Sequence, residues 1–402
     1  MKPHRFVRFW WLVGAVIAVV GGPVAGVAAA PTPGDGLVVD TTPNPGYYGN
    51  ILWDAAAPGS SDVWVVGVKA TTTSNDTLAV HWNGTSWAAV ATPNPSPECQ
   101  DGDILWSGQS LNGIAAASAN DVWAVGGGCY GIEPLIEHWN GSSWSIVARP
   151  PLGIDGGDVW ATLSDVAAIS SGDVWAVGHQ SSGDYRGFVE HWGVSNWTVV
   201  SDASPSGSYL ASVSASGPSD VWAVGGSDPH NNFIEHWNGA SWSIVASPQP
   251  TRGSSLDSVL AISPTNAWAV GSKTASTGAE VTFTLHWKGK AWTEVASPNP
   301  SIAASASNQL RSVVAISPTN IWAVGMYENE QTSFHQHRTL VLRWNGTAWN
   351  IVTSPQPGRT SELTAAAVTP GGRLFSAGFW SLYDRNIYDG HYTLPQTLVM
   401  HR

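Results

Sequence analysis

The chain has 402 residues, only 11% of them charged, with 29 acidic against 17 basic side chains and a net charge of −12. So few Lys and Arg exclude the electrostatic footprint of a nucleic-acid binder, and so little charge excludes a coiled coil. A hydrophobic content of 43%, with 24 Trp, 43 Gly and 26 Pro, excludes a disordered acidic chain and points to short strands separated by many turns.

Lys2, Arg5 and Arg8 precede an uncharged run from Phe9 that ends in Val27, Ala28, Ala29 and Ala30. This is the pattern of an export signal over residues 1–30, cut after Ala29 or Ala30. The same stretch is long enough for an uncleaved anchor, but Pro23, the glycines and the alanine tail favour cleavage. The expected location is secreted or extracellular, with the anchored form as the alternative. Residues 31–402 then form a single array. Its first element is an isolated strand, Leu37-Val-Val-Asp40, followed by Thr42-Pro-Asn-Pro45, a run that recurs as Thr92-Pro-Asn-Pro95.

Repetition sets the fold. Asp-Val-Trp-Ala-Val-Gly recurs around Trp64, Trp123, Trp175, Trp222, Trp268 and Trp322, with a degenerate seventh copy around Phe375. A second motif, His-Trp-Asn-Gly-x-x-Trp, places one Trp at 82, 139, 192, 237, 287 and 344 and another at 87, 144, 197, 242, 292 and 349. Twelve residues before each first-motif ring stands a Leu: Leu52, Leu111, Leu163, Leu210, Leu256, Leu310 and Leu363. Each copy reads as four strands; in the sixth these are Leu310–Ile316, Ile321–Gly325, Thr339–Trp344 and Trp349–Thr353, here termed A to D. Asn-Gly between C and D is a strong hairpin signal, and the prolines after D suit an outer edge. Seven such units describe an all-β, seven-bladed β-propeller of four antiparallel strands per blade. The last unit stops at Arg402 after strand C, so residues 36–45 are expected to complete blade seven and close the ring.

A ring present in every blade at one strand position is packing between blades rather than a ligand platform. The repeated His81, His138, His191, His236, His286 and His401 lie one per blade and cannot converge on a metal. Each is expected to pair with its own blade's Asp or Asn: Asp62, Asp121, Asp173, Asp220, Asn266 and Asn320. This resembles the Asp-His network of WD-repeat propellers. Arg343 replaces His in blade six, so the pair there must differ.

The A–B and C–D turns are short and alike, whereas the D–A and B–C connections vary. Variable loops on a rigid scaffold are where binding usually sits. That face draws on Trp53, Trp106, Trp160 and Trp380, the Trp of residues 31–402 outside the repeat positions, and on Tyr383, Asp384, Arg385, Tyr388 and His391. Aromatic rings among carboxylates suit carbohydrate; the alternative is ordinary loop packing. Cys99 and Cys129 lie in two connections of blade two on this face and are expected to form a disulfide in an oxidising compartment. His335-x-His337 with Glu328 and Glu330, and Asp101-x-Asp103, are weak metal patterns, and solvated loop is the better reading; neither metal nor cofactor is expected.

The Asp-Val-Trp-Ala-Val-Gly and His-Trp-Asn-Gly-x-x-Trp repeats resemble secreted bacterial β-propellers, with a distant similarity to tectonin-type lectins and to Asp-box (sialidase-like) propellers. The adjacent Asn140-Gly141 before Trp144 departs from the Asp-box spacing. The resemblance implies a non-catalytic binding propeller with a glycan or cell-envelope polymer as partner; a monomer is expected, and the scarcity of Lys and Arg argues against nucleic acid. A sialidase-type glycoside hydrolase is the second reading, which would draw on Arg311, Arg338, Arg359 and Arg385 with Tyr383 or Tyr388. A protein-interaction scaffold is the third.

Overall fold

The computed structural model describes residues 36–72, 74–94, 109–128, 133–152, 160–181, 185–329, 336–382 and 394–402. They form seven four-stranded antiparallel sheets. Blade one consists of Gly49–Gly59, Asp62–Ala70, Asn75–Trp82 and Trp87–Val90. Blades two to six follow at residues 110–146, 160–200, 208–244, 254–294 and 308–351. Blade seven takes Thr360–Val368, Leu374–Ser381 and Gln396–His401 from the end of the chain and Val38–Val39 from its start. Val38 pairs with His401 and Val39 with Met400, so the expected closure holds.

The segment after the closing strand docks as its counterpart in blade one does. Asn44 Oδ1 accepts from Thr397 N at 2.7 Å, and Asn94 Oδ1 accepts from Thr77 N at 3.0 Å. Strands run longer inward and shorter outward than the repeat alone suggests: in blade six A is Asn308–Ser317, B Asn320–Asn329, C Gln336–Trp344 and D only Trp349–Ile351. The next residue of D, Val352, still donates its N–H to Val341 O, but the prolines that follow cannot donate and pairing stops.

The motif glycine has a steric origin. In every blade it pairs with the repeated Leu, and a register shift follows directly in strand A. The bulge brings the two backbones together: a Cβ on Gly126 would lie 1.9 Å from Ser110 O, and one on Gly325 2.0 Å from Gln309 O. Only glycine fits. The Asn-Gly turn is similarly specified. Asn83 Oδ1 accepts from Thr85 N and Ser86 N at 3.0 Å, and Gly84 takes φ of 96°. Blade three lacks that glycine, and Val194 occupies the positive-φ corner instead.

Among the described residues seven apolar clusters fill the seven seams between neighbouring blades. The first-motif rings are buried there; Trp64, Trp222 and Trp322 are each 1% exposed. All but Trp322 meet two rings of the next blade: Trp64 lies 4.9 Å from Trp139 and 5.3 Å from Trp144, the latter edge-on. Such pairs add about 0.5–1.5 kcal/mol to the burial of the rings. The inner ring, of the Trp64 type, is fully enclosed, whereas Trp82, Trp139, Trp192, Trp237, Trp287 and Trp344 are half-buried.

The repeated imidazoles stack on these indoles and hold the expected partners. His81, His138, His191 and His236 place Nε2 2.6–2.8 Å from Asp62, Asp121, Asp173 and Asp220. His286 donates to Asn266 at 2.9 Å. In blade six Arg343 Nε donates to Asn320 Oδ1 at 2.8 Å. The side chains of these His–Asp pairs are partly exposed, except Asp220, which is buried. Blade seven has Arg373 where the Asp would stand, and the carboxylate comes from the closing strand: Asp40 Oδ1 is 2.6 Å from His401 Nδ1.

Candidate functional site

The A strands of successive blades touch one another in a closed ring, blade seven meeting blade one, and so surround the centre. Strand A starts, strand B ends and strand C starts at the D–A/B–C end. Side chains at those three positions therefore frame the central mouth. The bulge residue after each Leu is Trp53, Asn112, Ser164, Ala211, Asp257, Arg311 or Thr364. Several reach to the neighbouring inner strand. Asn112 Nδ2 donates to Leu163 O at 2.9 Å, Thr364 Oγ1 to Leu52 O at 2.7 Å, and Arg311 Nη1 to Asp257 Oδ2 at 3.0 Å.

Two kinds of surface meet at this mouth. On blades three and four the surface is aromatic. Trp160, the first residue of strand A (Trp160–Ser170), stands edge-on to His179 at 5.2 Å and to Tyr185 at 5.1 Å. Tyr209 of blade four lies 6.3 Å from His179. His179 is 5% exposed, and burial lowers its pKa to about 4, so it is neutral across the physiological range. Burial, and then the charge of Asp257, push the Tyr209 hydroxyl up. Tyr185 is 37% exposed and offers its ring to solvent.

On blades five to seven the surface is charged. Burial opposes the Arg311 charge, but Asp257, Glu362 and Glu280 outweigh it and raise its pKa. Glu362 also receives His337 Nδ1 at 2.5 Å. Glu280 accepts from Ser272 Oγ and Ser307 Oγ at 2.6 Å and from Gln309 Nε2 at 2.8 Å, which ties blade five to blade six. The belt thus runs from Trp160 to His337 across five blades.

The predicted residues divide into two groups. Trp53, Trp160 and Trp380 are described, and all three stand on strands rather than loops: Trp53 in the bulge of blade one, Trp160 at a strand start, and Trp380 near the end of Leu374–Ser381. Only Trp160 joins the aromatic cluster. Trp106, Tyr383, Asp384, Arg385, Tyr388 and His391 lie outside the described residues, as do Cys99, Cys129, Asp101, Asp103, Glu330 and His335. His337 Nδ1 faces Glu362, and no group of three potential metal ligands occurs among the described residues. Of the arginines of the second reading, Arg311 donates to Asp257 and Arg338 to Gln336, and Arg385 lies outside the described residues.

Repeat reading missed Tyr209, Asp257 and Glu362. The signal that marks them is local variation beside the constant Leu: the preceding residue is Ile51, Ser110, Thr162, Tyr209, Ser255, Gln309 or Glu362.

No family model and no curated protein matches the chain. Solved structures do. The chain is similar to YCF48 bound to D1 peptide, with a TM-score of 0.54 at 13% identity over 91% of this chain and 96% of that one. It is similar to YCF48 from Cyanidioschyzon merolae, with a TM-score of 0.52 at 14% identity over 90% and 98%. It is also similar to the GH74 xyloglucanase from Xanthomonas campestris, with a TM-score of 0.52 at 14% identity over 87% of this chain and 54% of that one. At such identities the likeness is one of fold: the chain is a seven-bladed β-propeller, and its activity must be argued from its own mouth.

Proposed function

We propose that the chain is a non-catalytic, exported binding propeller that engages carbohydrate or a cell-envelope polymer at the D–A/B–C mouth. The observation that carries this reading is the juxtaposition of Trp160, Tyr185 and Tyr209 with the Asp257–Arg311–Glu362 belt. Aromatic faces stack on the apolar faces of sugar rings, and carboxylates accept from their hydroxyls. Hydrolysis of sialidase type is disfavoured because Arg311 is committed to carboxylates rather than open to a substrate. The Cys99–Cys129 disulfide belongs to the same reading, since export supplies the oxidising compartment.

A glycan array together with a peptide array tests it. Trp160→Ala and Tyr185→Ala are expected to lower glycan binding by about tenfold or more, the loss of a stacked ring being worth roughly 1–3 kcal/mol. Their unfolding midpoints are expected to stay within a few degrees of the parent. Peptide binding without glycan binding would turn the reading into a protein-interaction scaffold. Glycan binding untouched by both substitutions would move the site away from the mouth.

A further inference from the structure

A second candidate site lies on the same D–A/B–C face but toward the outer strand D of blade five, where the connection entering that blade faces its B–C turn. The two enclose a cleft of about 450 Å³, within the roughly 300–1,000 Å³ of small-molecule sites. Residues 248–252 form one wall and residues 274–276 the other, with Lys273 and Glu294 completing the lining. The first wall is fastened. Asn232, 3% exposed, donates to Pro248 O at 2.7 Å and accepts at its own carbonyl from Gln249 Nε2 at 3.1 Å. Thr274 N donates to Gly253 O at 3.0 Å and joins the walls. The cleft is therefore preformed and costs little ordering on binding.

Its charge is opposite to that of the mouth. Most described cations are occupied: Arg149 by Glu190, Arg311 by Asp257, Arg402 on Trp322, and Arg373 on Phe375. Arg252 is exposed and has neither an ion pair nor a ring against it among the described residues. Lys273 stands beside it in the lining, 2.5 Å from Glu294 Oε1. Two cations share one cleft in a chain with only 17 basic residues against 29 acidic ones.

We propose that this cleft binds the carboxylate of an acidic saccharide. The Arg252 guanidinium accepts a carboxylate in its planar fork. Lys273 supplies the second charge as it exchanges Glu294 for the ligand. Thr251 and Ser276 line the cleft with hydroxyls, and Pro248 and Pro250 offer apolar surface to a sugar ring. The inference stands apart from the mouth, whose surplus of carboxylates disfavours an anion.

Calorimetric titration of the full chain with trigalacturonic acid tests it, with its methyl ester, maltotriose and inorganic phosphate as comparisons. The triacid is expected to bind, and the ester and maltotriose are not. Arg252→Gln is expected to weaken binding about tenfold, and Glu294→Gln to tighten it roughly two- to fivefold by releasing Lys273. No triacid binding, unchanged affinity in Arg252→Gln, or weaker binding in Glu294→Gln would overturn the proposal. Phosphate competing as tightly as the triacid would overturn the saccharide assignment. Partial unfolding could imitate the loss in Arg252→Gln, but it cannot imitate the gain in Glu294→Gln.

Discussion

Six seams of the ring are built alike and the seventh is not. From blades one and two round to blades seven and one, skipping only the seam between six and seven, a ring on strand B meets two Trp of the following blade. Trp222 meets Trp287 and Trp292, and Phe375 meets Trp82 and Trp87. Between blades six and seven those two Trp are missing, and Trp322 lies instead under the guanidinium groups of Arg343 and Arg402, at 5.5 and 5.3 Å. Blade seven takes its strand D from Val38–Val39, and that strand carries no Trp. Asp40 takes over: one oxygen faces His401 and the other accepts from Trp87 Nε1 at 3.0 Å. Repetition supplies apolar seams wherever it can, and the closing blade substitutes charge and cation–π contacts.

Breaking the odd seam is expected to have the largest effect. A chain beginning at Thr41 loses Leu37, which is 1% exposed, the strand that pairs with Met400 and His401, and Asp40. The loss should exceed the about 2–5 kcal/mol of one buried Leu. Thermal unfolding of chains starting at Pro31 and at Thr41 measures it, and equal midpoints would mean that the closing strand contributes nothing.

Breaking a regular seam comes next. Trp222→Ala empties a fully enclosed site and is expected to cost about 3–5 kcal/mol. Trp237→Ala should cost clearly less, because its ring is half-buried and its Nε1 donates to Pro218 O at an exposed position. Denaturant unfolding of the pair ranks the two ring positions, and equal losses would contradict the ranking.

A third prediction sharpens the comparison among the regular seams. The strand C residue facing the preceding blade is Val80, Leu285, Leu342 or Met400 in four blades, but Glu137, Glu190 and Glu235 in blades two to four, all of them 0% exposed. Glu190 is paired with Arg149, and Glu235 accepts from Ala203 N at 3.0 Å. Neither oxygen of Glu137 has a hydrogen-bond partner among the described residues. Burial raises the pKa of Glu137 to about 8, and burial with the Asp202 charge does the same for Glu235. The folded state keeps protons that the unfolded state releases above about 4.5, so stability falls as pH rises from about 4.5 to about 8. Each group contributes on the order of 1 kcal/mol per pH unit. Glu137→Leu is expected to be near neutral at pH 4, stabilising at pH 8, and to reduce the slope between them. An unchanged slope in urea unfolding would rule it out.

The ring, the blade count and the closing strand were legible because they are periodic or complete a period. Leu52 and its six counterparts mark strand A wherever it occurs, and Thr42-Pro-Asn-Pro45 identifies its segment by matching Thr92-Pro-Asn-Pro95. The mouth was less legible. The repeat puts Trp53 next to Leu52 on strand A but does not show the bulge between Leu52 and Asp54 that sets it there. Tyr209, Asp257 and Glu362 come from three blades, and only the stacking of neighbouring blades sets them in one belt with Arg311. The exchange of Asp for Arg373, with Asp40 as substitute, joins residues from opposite ends of the chain, beyond the reach of any local spacing.

The closing strand also governs time. Most contacts in the ring join residues within one blade or in neighbouring blades, but Thr42 and Thr397 meet across 355 positions. Six blades can zip up in succession, each on the edge of the last, while the seventh waits for both ends of the chain. Closing so long a loop costs entropy before its contacts return any. Until then the unpaired edge of Gln396–His401 stays open to strands from other molecules. The meeting of the two ends is therefore the expected slow step of folding and the expected moment of greatest exposure to aggregation.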